Sequence, residues 1–260
     1  MSLTKQQLSA LLAVAIDAAH AAGQVIASYQ GHQVAFELKQ SGTSVASKIV
    51  TKVDAEAEQA ILEVINPTLE KYNLGLLTEE STDNQSRFDK AYFWCIDPLD
   101  GTLPFTQNES GYVTSIALVS REGKSLLGVV FDPRNDNLYS AIAEEGALKN
   151  GKRFAIDNSQ RSITIDNGPG GAVMQAIDTI ENAPCIFYKK PKPQEGGGCL
   201  WDYAATSIIH SEAGGHNSDF SFNPLNLNAA NSLFMNHCGV LYSAGLTHDQ
   251  IAAILSENER

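Results

Sequence analysis

The feature that most constrains this chain is the segment of residues 94–102, in which an apolar strand pattern runs directly into two carboxylates. Between Asp97 and Asp100 stands a proline, which fixes one backbone angle, and after them a glycine, which permits close backbone approach. Both carboxylates and the Leu99 carbonyl could therefore face one point, and oxygen donors of this kind suit magnesium. The competing interpretation is two ordinary turns, because Asp-Pro and Asp-Gly form turns in any protein.

The residues after Gly101 are predicted to begin a helical turn. Free N–H groups at the start of a helix attract anions, so this turn would hold a phosphate oxygen. Thr102 would add its hydroxyl group. The segment thus predicts a metal site and a phosphate site side by side.

Two further acidic segments lie elsewhere in the chain. Glu79 and Glu80 directly follow the apolar residues 74–77 and so stand at a predicted strand end, where they could complete a binuclear site. Asp202 follows three glycines and stands in the first turn of a predicted helix. Each has a plainer interpretation, because a Glu-Glu pair is usually a solvated loop and an Asp at a helix start is usually a cap.

Asp54 has the same ambiguity. It stands at the beginning of a second predicted helix, which it could cap. It could instead accept a proton relayed from a water molecule through Thr102. A carboxylate beside metal ions stays ionised, which suits it to accept a hydrogen bond.

The net charge of the chain restricts the classes of partner that it is expected to bind. Its 260 residues include 18 Lys and Arg against 30 Asp and Glu, a formal net charge of -12. This mean field repels nucleic acid polymers and anionic membranes, so neither is expected as a partner. It also repels a phosphorylated metabolite, so a phosphate site here needs local positive charge, such as bound divalent cations.

Length and local pattern predict an N-terminal sub-domain of residues 1–155 and a C-terminal one of residues 156–260. The composition changes near this boundary. Four widely spaced cysteines indicate reduced thiols, and we find no leader sequence and no apolar run that approaches the length of a membrane span. A cytoplasmic location is expected.

Hydrophobic periodicity predicts the main elements. A long helix is expected from Thr4 to about Tyr29, and a second from near Asp54 to residues 66–67. Between them, residues 32–48 are predicted to form a hairpin or a mobile loop, from which Lys39 and Lys48 would approach a site. The remaining predictions are strands at residues 74–77, 91–96, 113–119 and 126–131, and a helix at 201–213.

Five separated segments resemble the inositol monophosphatase family, whose wider superfamily includes bisphosphate nucleotidases and fructose-1,6-bisphosphatases. The similarity spans roughly residues 45–215. The matching segments are Val-Thr-Lys-Val-Asp at 50–54, Thr-Glu-Glu-Ser at 78–81, Asp-Pro-Leu-Asp-Gly-Thr at 97–102, Gly-Val-Val-Phe-Asp-Pro at 128–133, and Trp-Asp through Glu-Ala-Gly-Gly at 201–215.

The resemblance implies a layered α/β fold, an α-β-α-β-α sandwich with a large sheet in its N-terminal α+β part and the site beside a C-terminal α/β part. It implies two or three Mg²⁺ ions and in-line displacement by a water molecule that Asp54 and Thr102 orient, with Glu80 as a further catalytic candidate. Lithium sensitivity and a homodimer are also typical of the family. The implied metal ligands are Glu79, Asp97, the Leu99 carbonyl, Asp100 and Asp202.

The chain departs from the family pattern at two places. Pro104 occupies the position, two residues beyond the signature Thr, at which family members commonly carry Asn. The Gly-Ser-rich strand–helix segment that usually contributes to the substrate pocket is not recognisable within residues 168–198. In its place stands a cationic cluster, which either binds a second phosphate or the sugar hydroxyls or forms a solvent-facing loop. Its lysines are Lys189, Lys190 and Lys192.

The sequence therefore predicts a magnesium-dependent phosphomonoesterase acting on a small phosphorylated metabolite. Inositol monophosphate leads as substrate, a 3'(2'),5'-bisphosphate nucleotide comes next, and a sugar phosphate third. A relative that senses a ligand or metal without turnover is the alternative from another class, motivated by Pro104 and the unrecognised pocket segment.

Overall fold

A computed structural model describes residues 3–32, 35–38, 49–157, 159, 162–168 and 170–257. Lys39 and Lys48, predicted to approach the site, lie outside these ranges. Within the described residues the helices are α1 (Lys5–Tyr29), α2 (Lys52–Lys71), α3 (Ser86–Asp89), α4 (Thr102–Thr106), α5 (Ala172–Glu181), α6 (Leu200–Glu212) and α7 (His248–Glu257).

The strands of the described chain belong to three sheets. The first strands, β1 (Phe36–Leu38) and β2 (Ile49–Thr51), pair antiparallel, in keeping with the predicted hairpin. The others are β3 (Gly75–Thr78), β4 (Tyr92–Asp100), β5 (Val113–Ser120), β6 (Ser125–Asp132), β7 (Asn137–Ile142), β8 (Gly146–Lys149), β9 (Lys152–Phe154), β10 (Thr164–Ile165), β11 (Cys185–Lys189), β12 (His216–Ser218) and β13 (Val240–Ala244).

The large sheet has seven strands in the order β3-β4-β5-β6-β7-β8-β9. β3 and β4 run parallel, and the later neighbours pair antiparallel. A second sheet has four strands in the order β10-β11-β13-β12. The described chain passes from the seven-stranded sheet to the four-stranded sheet between Phe154 and Thr164. This passage lies beside the predicted sub-domain boundary at residue 155, and the boundary itself stays a prediction.

Side-chain alternation along the strands builds five layers. On β4, Trp94 and Ile96 face the apolar cluster that contains α1 and α2, whereas Phe93 and Cys95 face the cluster that contains α5 and α6. The four-stranded sheet follows, and Leu241 on its far face packs against α7. The order α-β-α-β-α confirms the predicted sandwich.

One helix in the described part of the chain, α1, is long and apolar enough to cross a membrane by length and composition alone. The expectation that no apolar run approaches this length was therefore wrong. A helix buried in a protein core passes the same test, and α1 packs against α2 and the large sheet. The residues buried on it are Leu8, Leu11, Ala15, Ala18, Ala19, Ala22, Gly23 and Ile26.

The second helix corrects another prediction. It was expected to end at residues 66–67, but α2 continues through Pro67 to Lys71. Proline removes one hydrogen bond within a helix, so tertiary packing must stabilise the last turn. Thr68 provides this stabilisation, because its buried hydroxyl donates to the Ile65 carbonyl and accepts a hydrogen bond from Trp94 Nε1 at 2.9 Å.

A glycine lets α6 lie close to the large sheet. A Cβ on Gly128 of β6 would stand 2.7 Å from the Ala205 carbonyl oxygen and 2.7 Å from Ile208 Cγ2. Two serine hydroxyls of the sheet also donate to α6 carbonyls, from Ser125 to Ala204 at 2.6 Å and from Ser115 to Trp201 at 3.3 Å. The position of Asp202 on α6 is therefore set by the N-terminal sheet.

We expect Gly128→Ala to destabilise the fold by about 1–3 kcal/mol, because overpacking forces the helix away from the sheet. In a chain of this size that corresponds to a fall in Tm of roughly 2–4 °C per kcal/mol, measured by calorimetry. Gly168→Ala is the matched control, since Gly168 is exposed and, among the described residues, only the Asp166 carboxylate lies near its added Cβ. Equal Tm values for the two variants would contradict close packing at Gly128.

Asp178 on α5 is a half-buried acid among other acids. Burial, together with the charges of Asp166, Glu181 and Asp132 and against the opposing charge of Lys149, raises its pKa from 3.8 to about 7. The folded chain therefore binds this proton more tightly than the unfolded chain does. The resulting stabilisation is complete below about pH 4 and is lost as the pH rises through about 7.

Asp178→Asn should therefore stabilise the protein progressively between about pH 4 and pH 7, and by a constant amount above. One pKa unit corresponds to about 1.4 kcal/mol. Because solvent screens a half-buried group, we expect a total of about 1–2 kcal/mol. Denaturant unfolding at several pH values measures it, with the exposed Asp89→Asn as control. A pH-independent difference between wild type and Asp178→Asn would refute the assignment.

Candidate active site

A cavity of about 670 Å³ opens where the ends of β3 and β4 meet α4 and the first turns of α5 and α6. Its wall contains all five residues predicted as metal ligands, which come from three distant parts of the sequence. They are Glu79, Asp97, Leu99, Asp100 and Asp202. The structure brings these residues together; their role as ligands stays a prediction.

The Asp97–Asp100 segment does not form the two ordinary turns that were the competing interpretation of the sequence. Asp97 pairs with Ser115 and Asp100 with Val113, so three steps on β4 match two on β5, and the strand bulges. The Leu99 amide donates to Asp97 Oδ1 at 3.0 Å inside the bulge. Both aspartates are consequently presented to the same cavity at the end of one strand.

Three carboxylates form the centre of the cavity. Asp97, Asp100 and Asp202 each place an oxygen within 4.8 Å of the other two. Burial raises the pKa of Asp97 well above 3.8, and Glu79 and the other two aspartates raise it further. Burial and Asp202 likewise raise the pKa of Asp100. Hard oxygen donors held this close repel one another when ionised, and divalent cations remove that repulsion, so the donor set fits magnesium.

The helix α5 contacts this cluster from the C-terminal part. Asp100 Oδ2 accepts a hydrogen bond from the Val173 amide at 2.8 Å. A Cβ on Gly171, the N-cap of α5, would stand 2.1 Å from the same oxygen, so only glycine fits there. The strand β10 precedes α5, and Gly170 and Gly171 before that helix line the cavity.

Asp54 caps its helix and also contacts Thr102, and its catalytic role stays a prediction. It is the third residue of α2, and its Oδ2 accepts from the Thr51 amide at 2.8 Å and the Thr51 hydroxyl at 2.7 Å in a capping box. Its Oδ1 accepts from the Thr102 hydroxyl at 2.9 Å. Burial raises the pKa of Asp54, which makes it a stronger base near neutral pH.

The predicted phosphate cradle corresponds to α4. Gly101 is its N-cap, with φ at +86°, and a Cβ there would stand 2.6 Å from the Gly111 carbonyl oxygen. The amides of Thr102 and Leu103 begin the helix, whereas Pro104 has no N–H to offer. Thr102, Leu103 and Pro104 all line the cavity.

Asp202 also serves its helix and faces the cavity. It is the third residue of α6, and its Oδ2 accepts from the Cys199 amide at 2.8 Å. A hydrogen bond joins its side chain to that of Asp97. Helix capping and membership in the carboxylate cluster therefore coexist in this residue.

The two glutamates after β3 differ in position. Glu79 lines the cavity and adds to the negative field around Asp97, but Glu80 is not among the described lining residues. The Glu80 amide instead donates at 2.9 Å to Glu58 Oε2. The structure therefore favours Glu79 as the site residue of the pair, and the catalytic role predicted for Glu80 has no cavity contact to support it.

Glu58 is a site-supporting residue that the sequence analysis missed. This carboxylate is 5% exposed and accepts hydrogen bonds from the hydroxyls of Thr78 and Ser81 as well as from the Glu80 amide. These contacts hold the segment that carries Glu79. A signal was present, because Glu58 lies on the buried stripe of α2 beside Ala57 and Ile61, where an isolated acid needs partners.

The three lysines of the cationic cluster differ in their position relative to the cavity. Lys189 and Lys192 line the cavity, whereas Lys190 is not among the described residues of its wall. Burial lowers the pKa of Lys189, against the opposing effect of Asp100 and Asp202. The prediction of a substrate contact by Lys190 therefore has no support in the geometry, and the solvent-facing interpretation does not hold for the other two.

We expect Glu58→Gln to weaken magnesium binding by about 10–100-fold, the usual cost of losing an outer hydrogen-bond partner of a ligand. Glutamine keeps one acceptor oxygen but presents an N–H₂ group to hydroxyl and amide donors, so the Glu79 segment loses its anchor. Calorimetric titration with magnesium measures the effect. Glu63→Gln, on the exposed face of the same helix, is the control. A lower Tm with unchanged magnesium affinity would show that Glu58 supports only the fold.

Comparisons with known proteins agree with this geometry. A model of the inositol monophosphatase family matches residues 7–170. Nus factor SuhB of Escherichia coli is 31% identical over 235 residues, which cover 81% of this chain and 85% of that protein. An inositol-1-monophosphatase of Synechocystis sp. is 29% identical over 259 residues, or 88% of this chain and 85% of that protein.

A solved structure shows the same fold. The Thermotoga maritima IMPase superimposes with a TM-score of 0.75 at 24% identity and covers 95% of this chain and 97% of its own. The matched family region contains the β4 bulge, Asp54 and Glu79, while the E. coli relative extends the similarity over most of the chain. From the family match and this relative together, the chain belongs to the inositol monophosphatase family.

Proposed function

We propose that this protein is a magnesium-dependent phosphomonoesterase that hydrolyses a small phosphorylated metabolite. One observation carries the proposal: carboxylates from β4 and α6 converge within 4.8 Å beside the N-terminus of α4. A cation-demanding cluster next to an anion-attracting helix start is the arrangement that phosphate-ester hydrolysis by metal ions requires. Membership in the family supports the same activity.

The proposed magnesium ligands are the five residues predicted from the sequence, all of which line the cavity. Two or three Mg²⁺ ions held there would polarise the phosphoryl oxygens, activate water and neutralise the leaving alkoxide. Asp97, Asp100 and Asp202 supply the shared centre, and Glu79 and the Leu99 carbonyl stand at its edge.

The chain itself positions the nucleophile through Thr102 and Asp54. Because the Thr102 hydroxyl donates to Asp54 Oδ1, its oxygen is left free to accept a hydrogen bond from a water molecule. The proton of that water can then pass through Thr102 to the buried Asp54 carboxylate. The α4 amides hold a phosphate oxygen meanwhile, and in-line attack proceeds without a phosphorylated residue.

The proposed substrate is inositol monophosphate or another small phosphate monoester, with a 3'(2'),5'-bisphosphate nucleotide as the alternative. The Synechocystis relative named inositol-1-monophosphatase supports the first choice. We further propose a cytoplasmic homodimer that is inhibited by lithium and has neither a nucleic acid polymer nor a membrane as partner. The net charge of -12 supports the last point.

A second candidate is a family member that acts by binding, without turnover. The name Nus factor SuhB, carried by the E. coli relative at 31% identity, favours it. Within the described chain, however, the cavity retains each acidic ligand predicted from the sequence. A phosphate-release assay on a metabolite panel, with magnesium and with or without lithium, separates the two. If the folded protein releases phosphate from no compound of the panel, the binding role is favoured.

Asp100→Asn should reduce kcat by about three orders of magnitude or more, because it removes a negative charge from the ion-binding centre. The remaining amide oxygen can still accept from Val173, so the fold should persist. Phosphate release and circular dichroism measure the two effects. The exposed Asp89→Asn is the charge-matched control. Near-normal turnover in Asp100→Asn would show that the ligand assignment is wrong.

A further inference from the structure

Arg87 on α3 is a buried cation that the mechanism proposed above does not use. Among the described residues it is the only lysine or arginine that is buried, at 3% exposure. It lies outside the five segments that carry the family resemblance. Because an arginine is almost never fully buried unless it is paired, its contacts indicate what it does.

The Arg87 guanidinium joins two distant parts of the chain. Its Nε donates to Asp83 Oδ2 at 2.7 Å in a buried salt bridge. Its Nη1 donates to Asn228 Oδ1 at 2.6 Å and to the Ala229 carbonyl at 3.1 Å. The Asn228 side chain donates back to the Arg87 carbonyl at 3.3 Å and also to the Arg121 carbonyl at 2.9 Å. Residue 83 is thus tied to a loop that lies 141 positions beyond Arg87.

The Asp83 end of this link lies in the wall of the active-site cavity. That wall includes residues 81–83 and Glu79, which is a proposed magnesium ligand. Glu58 holds the beginning of this segment to α2, and Arg87 holds its end through Asp83. The part of the wall that carries Glu79 is therefore fixed from both sides.

The Asn228 end of the link is fixed to the packing around α6. Leu227 and Ala229, on either side of Asn228, are buried in the apolar cluster that contains α6. The Leu227 amide donates to the Gly123 carbonyl at 3.1 Å. A Cβ on Gly123 would stand 2.3 Å from Asn226 Oδ1, so the loop packs closely against the turn between β5 and β6.

The proposed metal centre needs such a link because its ligands come from distant segments. Glu79 follows β3, whereas Asp202 stands on α6. Glu58 ties the Glu79 segment to α2, and Arg87 ties it, through Asn228, to the cluster around α6. Magnesium demands near-ideal octahedral geometry, so ligands that move relative to one another bind it less tightly.

We propose that Arg87 is a positioning residue for the magnesium centre, which holds segment 79–83 against the packing around α6 and so fixes Glu79 relative to Asp202. It acts through Asp83 and Asn228 and does not itself touch an ion. This inference rests on the proposed function and adds to the ligand set a residue on which its geometry depends.

The competing explanation is that this network stabilises only the fold. Breaking a buried ion pair leaves a charge without its partner and lowers stability under either explanation, so Tm does not separate them. Magnesium affinity and the hydrogen exchange of segment 79–83 do separate them. A network that serves only the fold leaves both unchanged in the folded protein.

The test breaks the link from each end with Arg87→Lys and Asn228→Ala, and from both ends in the double variant. Lysine keeps the charge beside Asp83 but lacks the fork of donors that also reaches Asn228. Each single variant should weaken magnesium binding by about 10–100-fold in calorimetric titration, the usual effect of losing an outer partner of a ligand. Each should also speed hydrogen exchange of segment 79–83 in the metal-free protein. The double variant should bind magnesium about as weakly as the weaker single variant, because both substitutions break one link.

Thr68→Val is the control, because it removes the buried hydrogen bond to Trp94 from a residue outside the described cavity wall. It should lower Tm and leave magnesium affinity unchanged. Unchanged magnesium affinity and exchange in the Arg87 and Asn228 variants would overturn the proposal, and so would additive losses in the double variant. If Arg87→Lys does not fold, Asn228→Ala decides alone. If wild type binds magnesium but hydrolyses no phosphate ester, the proposed function fails, and the binding and exchange measurements still decide the role of Arg87.

Discussion

Mutual repulsion among buried carboxylates is the constraint on which the rest of this structure depends. Asp97 and Asp100 come from the large sheet and Asp202 comes from α6, yet their oxygens approach within 4.8 Å. Burial and neighbouring negative charge both disfavour ionisation there. A fold can keep such a cluster only if the surrounding packing is stiff, and here three elements are held around it by close backbone contacts.

Glycine provides that close contact at two places. Gly171 brings the first turn of α5 against Asp100, and Gly128 lets α6 lie close to the large sheet. An added methyl group at either position would overlap its neighbours. The geometry of the carboxylates is therefore set largely by residues that have no functional side chain of their own.

The sequence predicted the parts of the site that are local. The β4 strand and its two aspartates form one short segment, and the family resemblance implied the layers correctly. The sequence did not predict contacts between distant segments. Glu58 accepts a hydrogen bond from the Glu80 amide, 22 positions away, and Asp100 accepts one from the Val173 amide, 73 positions away. The lysine cluster shows another limit: β11 ends at Lys189, so strand alternation does not predict which of the lysines after it line the cavity.

Helix starts explain how one acid can both cap a helix and face the cavity. Asp54 and Asp202 are each the third residue of a helix, and each uses Oδ2 to accept the N-cap amide; Asp100 accepts an amide in the first turn of α5. A helix N-terminus favours negative charge, so it offsets part of the repulsion that burial imposes. The capping bond also fixes the side-chain rotamer, which directs the carboxylate toward its second partner. An acid that caps a helix in a cavity wall is thus already oriented for binding a cation, and the capping signal in the sequence counts in favour of the site.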